Sequence, residues 1–181
     1  MARALALGES LGASLFASAL AAHGVPVRLL LPGEPAWPLL TRGDPMAAEI
    51  DLEASAPRVE HLFGPGTPIL VLPGFVGIDG GTGRVCTLGR GGSDTTAVAL
   101  GRLLGRSEVI LVKDVPGVLE ADPRIVPGAR PLAELTVTEM EALARGGATV
   151  VAASALAYMS ETVVLRVISI GQPLDGTAGT V

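Results

Sequence analysis

The chain has 181 residues, of which 49% are hydrophobic and 17% charged, a balance that excludes disorder as its main state and allows a substantial core without staples. One cysteine, Cys86, excludes an intramolecular disulfide framework, and Cys86, His23 and His61 have no metal-ligand spacing. The net charge is −5 and no basic run exists, so the electrostatic footprint of a nucleic-acid binder is missing.

In chain order, residues 9–23 are predicted as a helix, with Leu11, Leu15 and Leu20 on its apolar face and His23-Gly24 as its stop. The Ala/Leu run at 11–22 is too short for a membrane span, and Gly8-Glu9-Ser10 breaks the apolar stretch that an export signal needs. A soluble cytoplasmic protein without membrane partners is the expectation. Val25 to Leu31 is predicted as a buried strand. Pro32 to Pro45 is predicted as loop, with Trp37 anchoring it on the body. Asp44 to Leu62 is a helix candidate starting after Pro45, and Ile69 to Leu72 a short strand. Asp79-Gly80-Gly81-Thr82-Gly83 is predicted as a hairpin tip, with Arg84 to Thr87 returning as a strand. A glycine loop then leads into a helix over 94–104, followed by a buried strand at 109–112 and a long loop over 113–131. Thr136 and Glu139 stand in capping-box spacing at the start of a helix to Arg145. A short strand at 149–151, a helix to about Met159, a strand at 163–170 and a Gly/Thr-rich tail complete the pattern.

Helices alternating with buried strands predict an α/β layer fold with a mostly parallel sheet over one domain, 1–181. In such sheets ligands sit at the carboxyl ends of strands, which directs attention to the loops that follow them. In Thr87-Leu88-Gly89-Arg90-Gly91-Gly92-Ser93-Asp94, three glycines allow close backbone approach and the following helix start favours an anion. Arg90 adds a partner for carboxylate or phosphate, and Ser93 and Asp94 suit a helix start even with no ligand. In the loop from Lys113 to Arg124, Lys113, Asp114, Asp122 and Arg124 can meet a nucleotide and its metal; each alone also reads as a solvated surface charge. Gly8-Glu9-Ser10 is weak by itself, since Glu9 simply suits a helix N-terminus.

Taken together, these segments resemble the catalytic domain of aspartate kinases, within the amino-acid kinase superfamily. Thr87 through Asp94 is identical to the family's Thr-Leu-Gly-Arg-Gly-Gly-Ser-Asp motif. Asp114-Val115-Pro116-Gly117-Val118 and Ala121-Asp122-Pro123-Arg124 resemble its nucleotide loop, and Gly8-Glu9-Ser10 its Gly-Glu helix start. Pro73-Gly74-Phe75-Val76-Gly77, Gly147-Ala148 and Gly176 to Val181 resemble shorter family segments. The resemblance implies a three-layer α/β/α fold and phosphoryl transfer from ATP, with Mg²⁺, to an amino-acid carboxylate. By that similarity Glu9, Arg90, Gly91, Gly92 and Ser93 would bind the amino acid, and Asp94 would organise the loop. Asp114, Gly117, Asp122 and Arg124 would bind the nucleotide, with no protein-borne metal site.

The sequence departs from the family pattern at several points. The opening strand with its Lys-Phe-Gly-Gly loop has no counterpart, and neither have the C-terminal ACT domains, so N-terminal strands of the sheet and family-style feedback inhibition are not expected. The lysine of the family's Gly-Ala-Lys is Thr149 here, and the following His-Pro is Ala152-Ala153. Lys113, the only lysine, replaces a threonine, and Leu119 a tyrosine. Two cations near the transferred phosphate are thus missing, and Lys113 is the candidate catalytic replacement. The expectation is an aspartate-kinase-like phosphotransferase, in a homodimer or in a complex with a chain supplying the N-terminal part. The alternatives are a non-catalytic nucleotide- or amino-acid-binding module and an inherited scaffold.

Overall fold

The computed structural model describes residues 1–64, 66–105, 107–122, 124–145 and 150–181. The expectations for Pro123, Gly147-Ala148 and Thr149 therefore lie outside the described residues. The chain begins with helix α1, Ala2–Ala22, then strands β1, Val27–Leu29, β2, Leu40–Arg42, and β3, Glu49–Ile50. Helix α2, Leu52–Glu60, precedes β4, Ile69–Val71, β5, Val76–Asp79, and β6, Val85–Thr87. Helix α3, Gly92–Leu104, leads to β7, Ser107–Lys113; α4, Val137–Arg145, α5, Ala153–Leu156, and β8, Val163–Ser169, follow.

Helix α1 starts seven residues before the predicted position, so Gly8-Glu9-Ser10 lies inside it and not at its start. Ser10, Ser14 and Ser18 do not break it, because each hydroxyl donates to the carbonyl four residues back, at 2.7–2.8 Å. At 21 residues, α1 is long and apolar enough to cross a membrane by length and composition, a property that core helices and leader sequences share. One face of it packs on β1, β4 and β6.

Residues 40–50 also differ from expectation. Two short strands lie where loop and helix were predicted, because Asp44 Oδ1 accepts from the Met46 amide at 2.8 Å and turns the chain after Gly43. Helix α2 then starts only after Asp51, whose carboxylate caps the Ala54 amide at 3.0 Å. Trp37 is the expected anchor: it is buried, and its Nε1 donates to Leu39 O at 3.1 Å. The predicted hairpin is present as antiparallel β5 and β6, and Asp79 Oδ1 accepts from both the amide and the hydroxyl of Thr82 at its tip.

The described strands form three ladders, with orders β1-β4, β3-β2-β5-β6 and β7-β8. The β1/β4, β2/β5 and β7/β8 pairings are parallel, and β2/β3 and β5/β6 are antiparallel. The fold is thus mixed α/β with a parallel framework. Strands β7 and β8 run in register from Ser107↔Val163 to Lys113↔Ser169, which brings Lys113 to the carboxyl end. Helix α3 joins two apolar clusters: Val98 packs with Val109, Leu111 and Val167, and Ala99 with Trp37, Leu39 and Val76. Its middle is therefore held from both sides, which fixes the helix whose first turn carries the site.

Candidate active site

The site forms where the chain leaves β6, turns and enters α3. Leu88 donates its amide to Phe75 O at 2.9 Å, then Gly89 and Gly91 take φ of 71° and 74°. That conformation is costly for residues with a Cβ. The space is closed as well: a Cβ on Gly91 would overlap the Ala152 methyl, and one on Gly92 would come 2.8 Å from Phe75 Cδ2 and 2.9 Å from Leu88 Cβ. Both glycines thus have a packing reason besides any contact with a ligand. The adjoining Gly74-Phe75 turn presses against the helix start, since a Cβ on Gly74 would lie 3.1 Å from Ser93 Cβ.

Asp94 stands in the first turn of α3 and is 8% exposed. Its Oδ1 accepts from Lys113 Nζ at 2.6 Å, and its Oδ2 accepts from the Ala152 amide at 3.2 Å. One carboxylate thereby links the glycine loop, the end of β7 and the start of α5, and the helix N-terminus adds favourable potential. Thr95 and Ser154 make a second link, with hydroxyl oxygens 2.9 Å apart, and Ser154 Oγ also donates to Arg90 O at 3.4 Å. These contacts involve residues 152–154, which sequence spacing does not single out; a backbone amide carries no side-chain signal at all.

Beside this node opens a cleft of about 770 Å³ lined by Arg90, Thr95, Ser154, Tyr158, Arg42 and Asp51, among others. Arg90 and Ser93 are exposed at the glycine loop. Tyr158 accepts from the Ile50 amide at 2.9 Å, and its burial raises the phenol pKa above the usual value. Glu9 is exposed within α1 and, among the described residues, makes no hydrogen bond or ion pair with the loop.

The second loop is placed where β7 ends, so Asp114 follows Lys113 directly and is exposed. Gly117 is buried against the tail, and a Cβ there would lie 2.6 Å from Thr180 Oγ1. Close packing therefore accounts for this glycine. Asp122 and Arg124 are paired with each other, with Nη2 to Oδ2 at 2.7 Å and Nε to Oδ1 at 3.1 Å. The Arg124 guanidinium holds the Asp122 carboxyl below its usual pKa, and the Arg124 pKa is raised in turn. Among the described residues no three His, Cys, Asp or Glu side chains converge as a metal cluster.

The model of the "Amino acid kinase family" matches residues 1–169. An aspartokinase of Pseudomonas aeruginosa is 35% identical over 183 aligned residues, covering 96% of this chain and 41% of the relative. The chloroplastic aspartokinase 1 of Arabidopsis thaliana is 40% identical over 81% of this chain and 26% of its own length. Among solved structures, E. coli aspartokinase III in complex with aspartate and ADP superposes with a TM-score of 0.84 at 31% identity, covering 96% of this chain and 38% of that one. An isopentenyl phosphate kinase at 21% identity and a TM-score of 0.52 shares the fold alone. The chain thus spans about two fifths or less of the length of these aspartokinases. The family model over residues 1–169 and the aspartokinases matched over most of the chain show that it belongs to the amino acid kinase family and is similar to aspartokinase catalytic domains.

Proposed function

We propose that the chain carries an aspartokinase-like site for ATP-dependent phosphoryl transfer to the side-chain carboxylate of aspartate, giving 4-phosphoaspartate and ADP. The observation that carries this reading is the convergence of the glycine loop, the Asp94–Lys113 pair and the nucleotide-type loop at one end of β7 and α3. The similar E. coli enzyme binds aspartate and ADP together, which supports the same ligand pair here. In this proposal Arg90, with Gly91, Gly92 and Ser93, holds the amino acid at the start of α3, and Glu9 reaches its ammonium group. Asp114, Gly117, Asp122 and Arg124 line the nucleotide side, and Asp94 holds the two loops in register. Residues 1–181 act as one domain.

The chemistry suits these residues. An ionised carboxylate needs no general base: its oxygen forms the new O–P bond while the bond from the γ-phosphorus to the bridging oxygen breaks, and ADP leaves with that electron pair. Both histidines sit at helix C-terminal ends, His23 on α1 and His61 on α2. Mg²⁺ would arrive with the nucleotide and neutralise phosphate charge. The phosphates would supply most of its ligands, with Asp114 as the exposed carboxylate at hand.

Assembly is part of the proposal: the chain works as a homodimer or in a complex with a partner chain. The outward face of α1 supports this, because Leu7, Leu11 and Leu15 are 62–70% exposed on one side of the helix. A monodisperse monomer in light scattering at micromolar concentration would count against it.

A second reading, a nucleotide- and amino-acid-binding module without turnover, is favoured by Thr149 and Ala152-Ala153 at positions where the family has Lys and His-Pro. Calorimetric titration of the chain with MgATP and L-aspartate, with ADP release followed in the same samples, separates the two. Binding with turnover supports the kinase. Binding without turnover, repeated in mixtures with a candidate partner, supports the module.

A further inference from the structure

We infer that Lys113 supplies the ammonium group that contacts the transferred phosphoryl group, with Asp94 as its positioning residue; this rests on the phosphoryl-transfer reading above. Lys113 is the sole lysine beside 12 arginines. A chain that uses arginine at every other cationic position has placed its one compact, flexible ammonium at the end of β7, between the two candidate ligand loops. An ammonium on a four-carbon stem can follow a phosphoryl group as it moves between donor and acceptor, whereas a guanidinium fork favours a fixed planar partner.

The geometry gives that ammonium a defined place. Its nitrogen lies 2.6 Å from Asp94 Oδ1, and the Lys113 side chain remains 24% exposed. One of three N–H donors serves Asp94, and no other partner is found among the described residues. Both oxygens of the Asp94 carboxylate are engaged, since the second takes the Ala152 amide. Asp94 therefore orients the ammonium and is itself held by the start of α5. From β7 the backbone keeps the lysine in place: Lys113 is in register with Ser169, and its carbonyl accepts from the Ile170 amide at 3.3 Å. The position follows directly from the strand end, where Asp114 opens the nucleotide-side loop, so the same few residues address acceptor and donor together. A simple structural tie between β7 and α3 would use the same ion pair, and the test has to separate the two roles.

The test compares the full chain with Lys113→Met, which keeps much of the stem, and Lys113→Gln, which keeps a donor for Asp94 without the charge. MgATP, MgADP and L-aspartate affinities are measured by calorimetry, with ADP release and thermal unfolding on the same samples. A phosphoryl contact predicts that both variants lose MgATP affinity about tenfold relative to MgADP, keep L-aspartate affinity, and lose about two to three decades of turnover. A structural tie predicts instead that all three affinities and the melting temperature fall in step in Lys113→Met and recover in Lys113→Gln. An unchanged MgATP/MgADP ratio in Lys113→Gln overturns the inference. Wild-type chain that binds MgATP without turnover sinks the catalytic reading alone, and the affinity ratio then still decides for or against Lys113. Wild-type chain that binds no nucleotide overturns both.

Discussion

The amide of Phe75 donates to Thr96 Oγ1 at 3.0 Å, fastening the turn before β5 to the first turns of α3. Phe75 has a φ of 68°, the one positive value at a non-glycine position among the described residues. Its carbonyl is also taken, by the Leu88 amide at 2.9 Å. Both neighbours of the glycine loop thus hold a backbone conformation that an aromatic residue rarely adopts. Replacing Thr96 by Val removes the acceptor while keeping the shape, and leaves the Phe75 amide without its partner. The expected cost is about 1–3 kcal/mol in urea unfolding, with Thr96→Ser close to wild type. A Thr96→Val chain as stable as wild type would show that the turn does not depend on this bond.

Asp94 bears on stability as well as on chemistry. In Asp94→Asn the Ala152 amide keeps an acceptor but Lys113 loses its counter-charge. Breaking a fully buried pair costs roughly 3–5 kcal/mol, and the partial exposure of Lys113 lets its ammonium turn to water, so about 2 kcal/mol is expected here. Asp94→Ala removes both contacts and should cost more. Denaturant midpoints for the two variants check the order, and equal midpoints would mean that the Ala152 contact contributes nothing.

The start of α4 gives a pH prediction. Glu139 Oε2 accepts from the Thr136 hydroxyl at 2.7 Å and amide at 2.8 Å, while Thr136 Oγ1 accepts from the Glu139 amide at 3.2 Å. These bonds favour the carboxylate and lower its pKa from 4.5 in the folded chain. A lowered folded-state pKa means that this contribution is fully present above about pH 4.5 and is lost as the pH falls through the folded value. Glu139→Gln should therefore be less stable than wild type at neutral pH, with the difference shrinking as the pH is lowered below that window. A difference that stays constant from pH 7 to pH 3 would contradict the assignment.

What could be read from the sequence follows from the range of the interactions involved. The capping box at Thr136, the hairpin tip at Asp79–Gly83 and the glycine loop are local, so residue spacing reveals them. Strands β2 and β3 are two or three residues long beside a proline-rich stretch, and it is their pairing with β5 and with each other that makes them strands. Helix α1 extends through Gly8 and Gly12 where it packs on β1, β4 and β6, and contacts that distant override the local signals for a break. In the site, Arg90 and Asp94 are marked by the motif, but the pairing of Asp94 with a lysine 19 residues away depends on where β7 ends relative to α3. The contact with Ala152 runs through a backbone amide 58 residues distant, and no residue type announces it.

That distant contact can be tested through the packing that makes it possible. Gly91 has a φ of 74°, and the space where its Cβ would stand is filled by the Ala152 methyl. Gly91→Ala therefore meets two separate penalties, the left-handed backbone and the overlap with α5's entry. The first costs about 1–2 kcal/mol and remains whatever the neighbour is. The second costs about 1–3 kcal/mol and is removed when Ala152 gives up its methyl. A Gly91→Ala/Ala152→Gly chain should thus recover part of the stability lost in Gly91→Ala, with a coupling of about 1 kcal/mol or more between the two positions. The ligand readout should follow the same pattern. If the 152–154 segment must seat against the glycine loop for Asp94 to be held, L-aspartate affinity falls in Gly91→Ala and partly returns in the double variant. Strictly additive effects on unfolding would mean that the loop and the start of α5 do not press on one another.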